Sequence, residues 1–227
     1  MKFLFSLLFS TLILFGFAQK SEQRDIDSFD KIDVFGNIEV IMSPGEKEEL
    51  RIESKTIDPS EVKVDVKDKL LKIKISENLF EDKMVARIFV TYKEIREITS
   101  NASAEIKVKN TIKGDKLFLT ATSGGRIMID VDLNAIELNV YQGANIDITG
   151  KTKIQESYVN TGGILSGSKF TSKEVFIKMN TGGKAELIAE ERIEASINTG
   201  ADLSYFGKPE QKKLKTSLGG KITAWDE

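Results

Sequence analysis

The chain has 227 residues, with 33 Lys and Arg against 35 Asp and Glu, a net charge of −2, and neither His nor Cys. That balance offers no cationic footprint for nucleic acid. The missing residue types exclude a Ser-His-Asp triad, a Cys-His pair, a His-ligated metal and any disulfide. No metal or cofactor is expected; stability must come from packing and backbone pairing.

Residues 1–18 read as a signal peptide. Lys2 precedes an apolar run from Phe3 to Phe17, and Gly16-Phe17-Ala18 presents small residues at the two positions a signal peptidase reads. The run is shorter than the roughly 20 residues of a spanning helix, and no cysteine stands at the cleavage point for a lipoprotein. The expectation is an exported protein (periplasmic, outer-surface or secreted) that starts near Gln19 and carries no transmembrane anchor after cleavage. Lys2 is the only charge removed, which leaves 32 basic residues against 35 acidic ones. The densest basic stretch, Lys208 to Lys215, reads as a solvated loop.

Residues 19–95 read as an N-terminal β segment and cap. Ile32, Val34, Ile38 and Val40 alternate across Gly36. Val62, Val64 and Val66 alternate, the chain turns at Asp68-Lys69, and Leu71, Ile73 and Ile75 alternate back, which predicts a hairpin. Ala86 to Tyr92 supplies another strand.

Residues 96–227 carry a repeat. Asn160-Thr161-Gly162-Gly163 returns as Asn180-Thr181-Gly182-Gly183 and as Asn198-Thr199-Gly200-Ala201, with weaker copies at Thr122-Ser123-Gly124-Gly125, Tyr141-Gln142-Gly143-Ala144 and Ser217-Leu218-Gly219-Gly220. The first glycines, Gly124, Gly143, Gly162, Gly182, Gly200 and Gly219, step by 19, 19, 20, 18 and 19 residues. Positions three and five residues either side of each are mostly apolar and the residues between mostly polar. This pattern predicts two short strands around a glycine corner. Ser103 fits the corner of an earlier, glycine-free copy, giving about seven rungs. A unit near 19 residues cannot fold alone and must stack. The fold class is therefore all-β, a β-solenoid whose rungs pair in parallel and whose N-terminal segment forms irregular rungs and a cap. Trp225 and the polar tail are expected to close the far end.

The order of parts resembles the bacterial adhesin family with a head GIN domain, of the type found in Bacteroidetes. The resemblance rests on Phe29-Asp30-Lys31-Ile32-Asp33-Val34-Phe35-Gly36-Asn37-Ile38-Glu39-Val40 with the Pro44-Gly45 turn, on Asp68-Lys69-Leu70-Leu71-Lys72-Ile73, and on the serial glycine corners ending in Tyr205-Phe206-Gly207-Lys208-Pro209. It covers almost the whole mature chain. It implies an exported right-handed parallel β-helix with an adhesin-like role.

Three sets of residues are candidate sites. The Asn column Asn160, Asn180 and Asn198 reads as a structural ladder in preference to a ligand row. Asp130, Asp132 and Asp147 hold carboxylates of the kind that bind calcium or serve β-helix lyases and hydrolases, but acids and bases alternate over the whole surface and nothing singles them out. The outward aromatics Tyr141, Tyr158 and Phe176 come from three successive rungs and would form one diagonal strip suited to sugar rings or a flat protein partner. The function expected is a non-catalytic binding or structural module facing glycan, envelope or protein partners. The alternative is a carbohydrate-active β-helix enzyme.

Overall fold

The structure, a computed structural model, describes residues 20–75 and 85–225. The signal-peptide reading falls outside the described residues, and so do Asp226 and Glu227.

Seven corners organise the solenoid. At each, two consecutive residues lie at positive φ: Ala102-Ser103, Ser123-Gly124, Gln142-Gly143, Thr161-Gly162, Thr181-Gly182, Thr199-Gly200 and Leu218-Gly219. The next amide donates back across the turn, as in Gly163 N to Asn160 O at 3.0 Å and Gly183 N to Asn180 O at 3.1 Å. Two positive φ angles and this bond are the signature of a type I′ turn. Ser103 takes its corner without a glycine, at φ 65°.

The two glycines of a corner serve different needs. Gly182, at φ 68°, has no atom within 4 Å of where its Cβ would stand, so its requirement is conformational. At Gly163 the requirement is space, because a Cβ would sit 2.4 Å from the Val140 carbonyl oxygen of the preceding rung. The residue before each first glycine shares the left-handed backbone, and Thr161, Thr181 and Thr199 do so although β-branched residues rarely adopt it. Stacking holds them there. Gly143 N donates to Thr161 O at 3.1 Å, Gly162 N to Thr181 O at 3.0 Å and Gly182 N to Thr199 O at 3.0 Å.

Strands run into and out of every corner. β10 (Ile112–Ala121), β11 (Arg126–Val140), β12 (Asn145–Val159), β13 (Ile164–Met179) and β14 (Lys184–Ile197) pair in parallel one after another. β15 (Asp202–Phe206), β16 (Gln211–Thr216) and β17 (Lys221–Trp225) complete the stack. Two short strands per repeat were expected, yet β11 to β14 each run unbroken from one corner to the next. Pairing runs through the bend between β11 and β12, while its register shifts between Asp147 and Thr149 on β12 and between Ser166 and Thr171 and between Ser172 and Glu174 on β13.

The N-terminal part is also built of rungs, but not in chain order. β2 (Lys31–Phe35) and β3 (Ile38–Pro44) form a rung wedged between two others. On one side lies the rung of β6 (Leu70–Lys74) and β7 (Ala86–Tyr92), on the other that of β8 (Glu97–Asn101) and β9 (Glu105–Val108). The end is covered by antiparallel strands. β4 (Glu49–Ser54) lies on β7, β1 (Lys20–Asp25) on β4, and β5 (Lys63–Lys67) on β6 through the expected Asp68-Lys69 turn.

One apolar core runs the length of the stack, in columns such as Leu117, Ile136, Val175 and Ile193. Gln155 interrupts that column. Fully buried, it is satisfied by donating to Ser157 at 2.9 Å and accepting from Ser172 at 2.7 Å. Outside the core, Glu39 is the charged group the fold encloses most. Burial works to raise its carboxyl, but hydrogen bonds from Lys107, at 2.7 Å, and from Arg87 outweigh it and hold its pKa below the ordinary 4.5.

Two predictions come from this geometry. Gly182→Val should lower unfolding free energy by more than about 1 kcal/mol through backbone strain, and Gly163→Val should also do so by displacing the Val140 carbonyl; urea titrations measure both. For Glu39 the folded-state pKa is depressed, so its stabilisation is present above pH 4.5 and lost as pH falls below it. Glu39→Gln should therefore be less stable than the native chain at pH 7, with the difference shrinking as pH falls below 4.5 in parallel melts.

Candidate functional site

The strands that enter the corners form one face of the solenoid, and their alternate side chains point outward. Register places Asn139, Tyr158, Lys178, Ser196 and Lys215 in one outward row, four residues before the corner glycine. Glu137, Glu156, Phe176, Glu194 and Lys213 form the row six residues before it. Between these rows lies a groove of about 570 Å³ spanning five neighbouring strands, with Tyr158 and Phe176 among its walls.

The three outward aromatics come from successive rungs. Tyr141, Tyr158 and Phe176 are half-buried on the outward face, well away from residues 25–92. The Tyr141 and Tyr158 rings are 5.5 Å apart and inclined at 58°. Tyr141 is also braced by its hydroxyl, which donates to Asn139 Oδ1 at 2.9 Å. Phe176 sits further along with the Arg192 guanidinium 5.1 Å from its ring centre. A guanidinium over a ring face is held by the ring quadrupole, and here it fixes one edge of the groove.

Charge in the groove is ordered. Glu137 faces Lys116 at 3.6 Å, and Glu194 faces Lys213 at 3.3 Å and Arg192. The hydrogen bond from Arg192, then that from Lys213, keeps the Glu194 carboxyl below its usual range. A carboxylate held ionised is an acceptor, the opposite of a general acid. Lys178 and Lys215 add cations in the neighbouring row. The groove thus offers two ring faces, carboxylate acceptors and lysine donors side by side.

The other candidates are dispersed. The Asn column is a ladder in part: Ser217 Oγ donates to Asn198 Oδ1, and Asn198 Nδ2 donates to Asn180 Oδ1 at 3.1 Å. Asn160 instead turns inward on its own corner and accepts from Thr161 N at 2.8 Å. Asp130 accepts from Thr149 at 2.8 Å and from Thr111, Asp132 lies 3.7 Å from Lys151, and Asp147 lies 3.4 Å from Arg126. Each acid is therefore engaged separately. Among the described residues no group of three or more acids is placed to hold a metal ion. A hollow of about 720 Å³ at the second bend includes Asp130 and Asp132 but has no aromatic wall.

Sequence reasoning located the rings but not the charged walls Glu137, Glu156, Glu194 and Lys213. The signal for them was present, because they fall on the same count of residues before the corner as Phe176.

Comparison with known proteins agrees with this architecture. The family model described as "Putative auto-transporter adhesin, head GIN domain" matches residues 28–209, and the chain belongs to that family. A solved structure from Bacteroides fragilis, described as a putative adhesin, superposes with a TM-score of 0.81 at 17% identity, over 92% of this chain and 97% of the other. One from Parabacteroides distasonis, described as a putative lipid binding protein, gives a TM-score of 0.73 at 16% identity, over 91% and 96%. At such identities the likeness establishes the fold. No curated protein matches the chain. No helix among the described residues is long and apolar enough to cross a membrane.

The environment of Tyr141 makes a spectroscopic prediction. Burial first, then Tyr158, then Glu137 push its phenol above the ordinary 10. In an alkaline absorbance titration, Tyr141→Phe should remove amplitude from the late-titrating phenols, above pH 10, and leave the early part of the curve unchanged.

Proposed function

We propose that this chain is an exported, non-catalytic binding module whose adhesin role is carried by the groove on the corner-entering face, and that the ligand is a glycan. The observation that carries this reading is the groove walled by Tyr158 and Phe176, with Tyr141 against Tyr158, set beside carboxylates and lysines. Ring faces stack on the apolar faces of sugars, and charged groups alongside hydrogen-bond hydroxyls. Successive rungs about 4.8 Å apart repeat on a scale that a chain of sugar rings can follow.

Two other readings weigh less. The lipid binding named for the Parabacteroides distasonis structure would need an apolar slot. In this chain the core columns are filled by buried apolar side chains, and charged residues interrupt the groove walls beside the two rings. A carbohydrate-active enzyme would use two carboxylates with a bond between them. Glu137 and Glu156 are register neighbours that project side by side from one sheet, and Glu194 is held ionised. That arrangement cradles a ligand on one side without placing an acid and a base across it.

Residues 19–227, screened against a glycan array and against envelope fractions, should retain ligands that stack on aromatic rings. Tyr141→Ala combined with Tyr158→Ala should weaken the retained interaction at least tenfold while the far-ultraviolet spectrum stays native. Unchanged affinity in the folded double variant would move the site off this face. Release of reducing ends from a retained glycan, lost in Glu156→Gln, would replace the binding reading with the enzymatic one.

A further inference from the structure

The two ends of the solenoid are finished differently. The N-terminal end is closed by antiparallel β1, β4 and β5. At the other end, among the described residues, β16 pairs only with β14, and β17 only with β15. All six residues of β16 are exposed. Leu214 is 39% exposed, Trp225 51% and Leu218 80%. Trp225 was expected to close this end, but it lies stacked on Phe206, ring centres 6.4 Å apart, with half its surface uncovered. At every earlier corner the first glycine's amide meets the next rung, as Gly200 N meets Leu218 O at 3.1 Å; among the described residues Gly219 N has no such rung to meet.

An edge of unpaired backbone with half-covered apolar columns is a template for another strand. Its charges say which kind. Along the stack, opposite charges zip one rung to the next: Arg126 to Asp147 at 3.4 Å, Lys213 to Glu194 at 3.3 Å, Lys221 to Asp202 at 4.0 Å. The strands of the last rung, β16 and β17, present Lys212, Lys213, Lys215 and Lys221 and no acid, with Glu210 standing just before β16. Lys212 also continues an inner column, being in register with buried Ile193. An inward-pointing ammonium refuses a second apolar rung and refuses its own copy. Two such ends face to face would oppose lysines.

We propose that this end is a docking edge for an acidic extended segment of a partner protein, which adds in parallel as the next rung. Carboxylates would meet Lys212, Lys215 and Lys221, and apolar residues between them would cover Leu214, Ile222 and Trp225. Discrimination arises because the wrong partner leaves a lysine buried against a lysine.

Trp225 is the only tryptophan in the chain, so its fluorescence reports on this edge alone. Two peptides of about 20 residues serve as probes, each with valine alternating with a charged residue on both sides of an Asn-Gly turn. One carries glutamate and the other lysine. The glutamate peptide should shift Trp225 emission to the blue, protect it from acrylamide, and bind at least tenfold more tightly than the lysine peptide, with the difference shrinking in high salt. Lys212→Glu with Lys221→Glu, neither of which lines the groove, should reverse the preference. Equal binding of the two peptides, no change at Trp225, or retained glutamate preference in the folded double variant would overturn the proposal. Concentration-dependent burial of Trp225 in the protein alone would overturn it in favour of a second copy. The glycan screen reads the rings at Tyr141 and Tyr158, and Lys212 and Lys221 lie outside the groove, so the two proposals fail separately.

Discussion

Everything in this molecule depends on parallel backbone pairing that is carried through the corners. A type I′ turn places two residues at positive φ, and only glycine does so without cost. Here one of the two is a threonine in three rungs, and that strain persists because the preceding rung's turn donates a hydrogen bond to its carbonyl. No single rung could hold that geometry. Each corner is stable because it is one of a stack, which is the general logic of repeat proteins.

The same stacking decides what the surface can become. Once rungs are in register, side chains a fixed count from the corner must form rows about 4.8 Å apart. A row of mixed charge zips the rungs together, and a diagonal of rings makes a ledge. The groove is a by-product of that periodicity. It needs no loop, and Tyr158, Phe176, Lys178 and Glu194 reach it from three neighbouring rungs because register leaves them nowhere else to point. Interior polar groups obey the same rule in reverse: Gln155 is tolerated because Ser157 and Ser172 fall within hydrogen-bonding reach of it.

The ends show what periodicity cannot supply. A solenoid has no natural terminus, so one must be made. The N-terminal end is made by reversing strand direction, with β1, β4 and β5 running antiparallel to the strands they cover. The C-terminal end is guarded by lysines and remains open among the described residues.

The corners, the core columns and the approximate number of rungs were legible in the amino-acid sequence, because turn chemistry and alternation are local and recur every 19 or so residues. Ser103 was placed at a corner by register alone, and the hairpin at Asp68-Lys69 by its flanking valines and isoleucines. The outward rings were legible for the same reason. What local pattern could not carry is which rung sits beside which. The wedging of β2 and β3 between the rungs of β6–β7 and β8–β9 rests on pairings between residues far apart in the chain, in a segment without the repeat. The ion pairs that ionise Glu39 and Glu194 and the half-exposure of Trp225 were likewise decided only in three dimensions. Each depends on what the neighbouring rung presents, or on there being no neighbour at all.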